Sequence, residues 1–307
     1  MGSTVGKLST PGHASTTTRP GVWLTELGLV LMALIWGVNY SIVKFGTTVI
    51  DPLAFNGARV ALAAIVLCAI MVVARASWPS RGVAWRLLAL GVLGNGFYQY
   101  LFVEGIARTS ATDAALVVAA SPAFIAIIGR MRGIERASTA RVLGILLSLA
   151  GIAFVVLGST EASQGVSSVT GDLLVLGGSL SWALYSVLLK PYTESVPGLQ
   201  LSALTMVGGA VPLALVALPN FTHAGWKAMP VLGWGAMLYS GLFALVIAYL
   251  FWYRGVRVIG PTRSAIYSNL QPVIAVLFAW IMLSETPTLW QGVGTACIMA
   301  SLLLTRA

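Results

Sequence analysis

The residues of this chain best suited to engaging a solute are neutral and aromatic, and they lie inside long apolar runs. Trp36, Asn39 and Tyr40 fall at i, i+3 and i+4, which is one face of a helix. Asn95 and Gln99 share a second face with Tyr98 beside them, and Tyr267 and Gln271 share a third with Asn269 nearby. Trp182, Tyr185 and Tyr249 complete the set. Carboxamides, phenols and indoles in this pattern suit reversible binding of a small amphipathic solute, with hydrogen bonds for its polar part and aromatic walls for the rest. Covalent chemistry has little to work with. The sequence has no His-Glu-x-x-His, no phosphate-binding Gly-Lys-Ser/Thr loop and no cysteine cluster, and its two histidines, His13 and His223, fall in the N-terminal tail and a loop. The chain is therefore read as a non-enzyme, with no cofactor and no metal site. Polar groups at membrane depth are costly, so they face a cavity or one another. Interhelical hydrogen bonding and aromatic packing is the alternative role for each of them.

Other residues have two readings. Pro122 and Pro272 each remove the N–H that would bond a carbonyl four residues earlier, those of Val118 and Ser268. The freed carbonyls would accept a substrate ammonium and the kinks would act as gating joints, or the kinks serve packing alone. Lys44 lies one turn from Tyr40, where it either binds a substrate carboxylate or snorkels to the headgroups. Lys190, its counterpart, is read as snorkelling. Arg59 is expected to pair with Asp51 at the outer end of its span, Glu104 with Arg108 as a rim ion pair, and Asp113 to cap a helix start after Ser110.

The elements that position these residues follow from composition. Of 307 residues only 27 are charged, 58% are apolar, and mean hydropathy is +0.89. A soluble chain carries nearer a quarter charged residues, so lipid is the main solvent here. Net charge +9 would suit a nucleic acid, but the charges fall between apolar runs of spanning length, and no nucleic-acid partner is expected. Runs of about 20 apolar residues, the length needed to cross the hydrocarbon, lie near 24–44, 53–74, 84–106, 111–130, 140–158, 171–190, 199–219, 231–253, 263–283 and 288–305. These predict an all-α integral membrane protein of ten spans. The polar stretch 1–22 predicts a disordered cytoplasmic tail, and Cys68 and Cys297 sit within apolar runs as small core residues.

The spans repeat. Leu27, Trp36, Lys44 and Ala64 recur 146 residues on as Leu173, Trp182, Lys190 and Ala210; Gly91, Gly105, Thr112, Pro122, Glu135 and Gly144 recur 150 residues on as Gly241, Gly255, Thr262, Pro272, Glu285 and Gly294. Five spans per copy is an odd number, so the second copy inserts upside down, and the fold is two inverted five-helix repeats around a central cavity. The boundaries are residues 23–158 and 171–305, with 159–170 as a periplasmic linker. With the N-terminus inside, 14 Lys/Arg fall on the inner side and four (Lys44, Arg59, Arg108, Lys227) on the outer. This predicts that both termini are cytoplasmic and that the chain, if bacterial, is an inner-membrane protein. Small-residue stripes at Ala140, Gly144 and Ser148, and at Gly294 and Ile298, either hold the halves together or form a dimer contact on an otherwise monomeric chain.

Trp36-Gly37-Val38-Asn39-Tyr40 with Lys44, the Pro122 and Pro272 positions, and Glu285 after the ninth span resemble the drug/metabolite transporter superfamily, in its EamA-type branch, over residues 22–306. Within that branch the chain looks closest to bacterial amino-acid exporters of the YddG type. The resemblance implies a cavity lined by spans 1, 3, 4, 6, 8 and 9 that opens alternately to each side, with a small-molecule substrate and the lipid bilayer as partners. Three functions remain open on these residues: export of small metabolites, aromatic and other neutral amino acids first; efflux of organic cations; and a scaffold or sensor without transport. Deep carboxylates are lacking, which leans toward facilitated diffusion or exchange over tight cation coupling.

Overall fold

In the computed structural model the described residues are 22–133, 168–268 and 270–306, with most of 143–155. The expected tail before Val22 and the linker residues 159–167 lie outside them. Among the described residues every regular element is helical. Seven helices are long and apolar enough to cross a membrane: Val22–Val49, Pro52–Val73, Ala111–Met131, Val169–Ser195, Gly198–Phe221, Val231–Ile259 and Arg263–Leu283. The expected spans at 84–106 and 288–305 are helical over Arg81–Arg108 and Leu289–Arg306, whereas 140–158 falls partly outside the described residues.

Several of these rods are compound. α1 is Val22–Val49 and α2 is Pro52–Val73. α3 (Arg81–Gly91) continues through a wide π-type stretch, Val92–Phe97, into α4 (Tyr98–Arg108). α5 (Ala111–Val118) breaks at residues 119–120 before α6 (Ser121–Met131). α7 is Val169–Ser195 and α8 is Gly198–Phe221. α9 (Val231–Leu238) passes through a second π-type stretch, Tyr239–Ile247, into α10 (Ala248–Ile259). α11 (Pro261–Tyr267), α12 (Leu270–Leu283) and α13 (Leu289–Arg306) follow.

Local chemistry sets these ends. Asp51 accepts from the Ala54 N–H ahead of a Pro52 start, and Ser110 and Ser168 cap α5 and α7 through the N–H groups of Asp113 and Gly171. The two interruptions fall just before Pro122 and Pro272, as a missing N–H dictates. The π-type stretches occupy equivalent places, 92–97 and 242–247 within the longer second stretch, 150 residues apart. Each adds a residue per turn and so re-aims the side chains that follow.

Packing runs between the halves. The rim of the bundle is apolar and open: Leu27, Leu31 and Leu34 of α1 are exposed, while Leu29, Met32 and Ala33 behind them are fully buried. An exposed apolar face of this kind is a lipid contact. In lipid, apolar burial gives helices little mutual attraction, so close approach through small residues carries the packing. A Cβ at Gly91 would run into the Thr205 carbonyl, and one at Gly241 would lie 3.2 Å from the Arg59 carbonyl. Gly105 near the end of α4 meets Val175 near the start of α7, and Gly255 near the end of α10 meets Leu29 near the start of α1. Each pair of contacts maps onto the other at the offsets of 146 and 150 residues. Gly294 and Ile298 face Gly151, and Phe154 stacks on Trp290 at 5.9 Å, so that stripe packs within the chain.

Candidate functional site

Both halves of the chain wall a single interior cavity of about 60 Å³. α1 supplies Trp36, Asn39 and Tyr40; α4 brings Tyr98, Gln99 and Phe102; α7 adds Trp182, and α10 adds Tyr249 and Trp252. The interruptions contribute Val118, Ser121 and Pro122 on one side and Ser268, Gln271 and Pro272 on the other. The i, i+3, i+4 spacing on α1 thus does aim its three side chains at one space.

The aromatic wall is a connected cluster. Trp36 meets Trp182 edge-on at 5.9 Å and Tyr249 at 5.7 Å, while Trp182 lies 5.6 Å from Tyr249 and 5.2 Å from Tyr98. Such pairs contribute about 0.5–1.5 kcal/mol each beyond burial, which fixes the ring planes. The Trp36 indole donates to the Ala244 carbonyl in the second π-type stretch at 2.9 Å, so a span-1 side chain reads backbone of the other half. The Tyr40 hydroxyl donates to Gln271 Oε1 at 3.4 Å, and Gln99 Nε2 to the Tyr249 hydroxyl at 3.4 Å. Around these, three buried polar atoms have no hydrogen bond among the described residues: Asn39 Oδ1, Ser121 Oγ and the Trp252 indole nitrogen.

Four expected site residues stand elsewhere. Asn95 is fully buried where α8 comes so close that a Cβ on Gly209 would strike the Asn95 backbone. Tyr185 turns from the cavity to share a hydrogen bond with the Tyr253 hydroxyl at 2.5 Å. Tyr267 packs half-buried at the edge of the core and outside the cavity wall. Lys44 reaches past the cavity: its ammonium donates to the carbonyls of Ile106, Ala107 and Thr109 at 3.1, 3.2 and 2.6 Å. Those carbonyls end α4 and lack helical N–H partners, which makes them the strongest acceptors within reach. Asn269 lies outside the described residues. The Ser268 carbonyl is not free for a ligand either, because the Gln271 N–H closes a tight turn onto it at 3.0 Å.

Arg59 corrects a second expectation. Asp51 is occupied with the Ala54 N–H and with the Asn220 carboxamide, and Arg59 turns inward. It is 1% exposed and donates to Asn56 Oδ1, Ser240 Oγ and Gln99 Oε1. Depth was the available signal: Arg59, seven residues after Pro52, lies about 10 Å along α2 from the helix start. Trp252 was also missed, although it follows Tyr249 at i+3.

The turn between α4 and α5 is bound from several directions. Glu285 accepts from the N–H groups of Ala111 and Thr112 at 2.9 and 3.1 Å and from the Thr112 hydroxyl at 2.9 Å, capping α5 from the far half. The Thr109 hydroxyl donates to Asp172 at 2.6 Å, and Gln291 Nε2 donates to Asp113 at 2.8 Å. The expected Glu104–Arg108 ion pair is present at 2.5 Å. At Lys190 the local cap is the same, with Thr193 on the Lys190 carbonyl at 2.7 Å as Thr47 is on that of Lys44 at 2.8 Å. Among the described residues, however, the Lys190 ammonium holds no carbonyl. A recess of about 360 Å³ is lined by Thr193 on α7 and by Arg254 and Arg257 on α10.

Comparison with known proteins accounts for this architecture. The model of the EamA-like transporter family matches residues 23–157 and 169–307. The chain belongs to that family. It is 28% identical to the uncharacterized transporter YyaM of Bacillus subtilis, over 90% of this chain and 91% of that one. It is 30% identical to the uncharacterized inner membrane transporter YedA of Escherichia coli, over 84% and 82%. A crystal structure with 20% identity aligns at a TM-score of 0.66 over 92% of this chain and 96% of its own, which shows the fold. A multi-pass membrane transporter, as the family implies, also agrees with the seven long apolar helices.

Proposed function

We propose that this transporter carries amino acids, aromatic and other neutral ones first, out across a bacterial inner membrane by alternating access. Its ten spans form two inverted five-helix repeats, residues 23–158 and 171–305, with both termini cytoplasmic. The observation that carries this reading is a single cavity walled by aromatic rings and carboxamides from both halves. Such a wall suits a solute that is polar at one end and apolar at the other, and tolerates several side chains.

Inversion is supported by direction. α4 ends where α7 begins, and α10 ends where α1 begins. Lys44, at the end of α1, touches the end of α4, so α1 and its counterpart α7 run in opposite senses. Alternation is supported by the difference between the two lysines. An inverted pair of repeats exchanges conformations when access switches, so a contact made at Lys44 and absent at Lys190 is what one end-state of such a cycle contains. In this state the Lys44 side is bound down and the Lys190 side is not. The change between states needs joints, and the breaks before Pro122 and Pro272 stand in the cavity wall.

Efflux of organic cations is the second reading, favoured by the Trp36, Trp182 and Tyr249 faces. Against it, the charged residue in the wall is Arg59, and among the described residues no carboxylate lines the cavity. The deciding experiment is uptake by purified protein in liposomes, with labelled neutral, aromatic, basic and acidic amino acids and no ion gradient. Saturable uptake of several, abolished by Trp36→Ala with Gln271→Ala, is the expected result. No uptake by folded protein, with or without a proton gradient, would remove amino acids as substrates.

A further inference from the structure

Arg59 is a full positive charge, 1% exposed, in the middle of a membrane protein, and among the described residues no carboxylate pairs with it. Its three partners are neutral: Asn56, Ser240 and Gln99. A guanidinium has five N–H groups, so these bonds leave one N–H on each terminal nitrogen. Charges buried in membranes are expensive and are retained where they pair or serve a pathway. Here the missing counter-charge has somewhere to come from, because Arg59 lines the cavity. The same cavity holds the three polar atoms without partners. Trp252 offers an N–H, Asn39 offers a carboxamide oxygen and Ser121 offers a hydroxyl. Lys44, the other cation near this region, is consumed by three carbonyls.

We infer that Arg59 is the residue that recognises the substrate's carboxylate, with the Trp252 N–H as a second donor, and that Asn39 and Ser121 receive its ammonium. The cavity then suits a zwitterion: Arg59 and the Trp252 N–H for the carboxylate, neutral oxygens for the ammonium on the same carbon, and the aromatic wall for the side chain. The zwitterion adds no net charge, so its carboxylate relieves Arg59 by local pairing, and hydrogen bonds from the ammonium to neutral oxygens replace those it made to water. This assignment rests on the reading of the cavity as the transport site, and it excludes a solute that lacks an anionic group. Gln99 joins the two networks, holding Arg59 through its oxygen and Tyr249 through its nitrogen, so carboxylate binding and the aromatic wall are set by one carboxamide.

The test is calorimetric titration of the detergent-purified chain with phenylalanine and leucine, each beside its amide and its decarboxylated amine. A hydrogen-bonded charge lost from a buried site predicts binding about ten- to a hundredfold weaker for amide and amine. Arg59→Gln should erase that preference, whereas a merely structural arginine would weaken all ligands alike. Where Arg59→Gln fails to fold, the ligand series on the parent protein decides alone. Equal binding of acid and amide would overturn the Arg59 assignment and leave amino-acid transport standing. Binding of the amines alone would overturn both. If neither amino acid binds, 3-phenylpropionate and 4-methylpentanoate are titrated. Their binding, lost in Arg59→Gln, would keep Arg59 as the anion site and remove amino acids as the substrates, and their failure would overturn the assignment.

Discussion

If Lys44 holds one face of the transporter shut, replacing it with methionine should open that face. The substitution keeps most of the aliphatic stem and removes only the ammonium, which donates to three carbonyls at 2.6–3.2 Å. A hydrogen bond involving a charged group contributes about 1.5–3 kcal/mol net. One half-buried ammonium shared among three acceptors does not sum to three such bonds, so about 2–3 kcal/mol for the whole contact is the appropriate figure. At 1.4 kcal/mol per tenfold, the ratio of open to closed should rise about 30- to 140-fold. The readout is a single cysteine at Ala119 in the cavity wall, with Cys68 and Cys297 changed to serine, labelled by a membrane-impermeant thiol reagent from the Lys44 side. The labelling rate should rise by at least tenfold in Lys44→Met. Lys190→Met removes an ammonium that holds no carbonyl in this state, so it should leave that rate unchanged or lower it while slowing transport. A Lys44→Met rate within twofold of the parent, or a rise in Lys190→Met, would refute the clamp.

Other substitutions test the frame around the cavity. Glu285→Gln weakens the cap on the α5 N-terminus and should lower stability by about 1–2 kcal/mol, seen as a reduced thermal midpoint, and should raise Ala119 labelling as Lys44→Met does. Gly208→Ala places a methyl against the Leu88 carbonyl and should cost about 1–3 kcal/mol, whereas Gly235→Ala, where the added methyl meets nothing, should be silent; equal midpoints would show that this close approach is unimportant. Pro272→Ala restores an N–H at a break in the cavity wall and should slow transport more than it lowers the yield of folded protein; equal losses would mark a packing kink.

The parts of this architecture that were legible in the sequence are those governed by a period. Trp36, Asn39 and Tyr40 sit on one helical face by spacing alone, and the repeat offsets name pairs such as Gly105 with Gly255 that do make matching contacts. The π-type stretches left no trace, because widening a turn by one residue depends on which neighbour bids for the displaced carbonyl. Trp36 makes such a contact at Ala244, and Ser181 makes one at Leu93. Asn95, inside the first stretch, and Tyr185, whose partner Tyr253 follows the second, show the consequence. Both fit the expected cavity faces of straight helices, and in the structure one is pressed against α8 while the other bonds Tyr253.

The exchange of roles between Lys44 and Arg59 shows where sequence reasoning stops. Lys44 stands on the face that carries Tyr40, so periodicity leaves a substrate carboxylate and the headgroups both open to it. Its flexible stem, however, spans to the end of α4, where carbonyls without partners wait in any helix. Arg59 starts too deep in α2 to reach solvent or Asp51, and its planar fork needs several acceptors held at fixed angles. Asn56 one turn away, Gln99 on α4 and Ser240 in the second π-type stretch supply them. Which cation is left on the cavity wall is therefore decided by where unpaired acceptors lie in three dimensions.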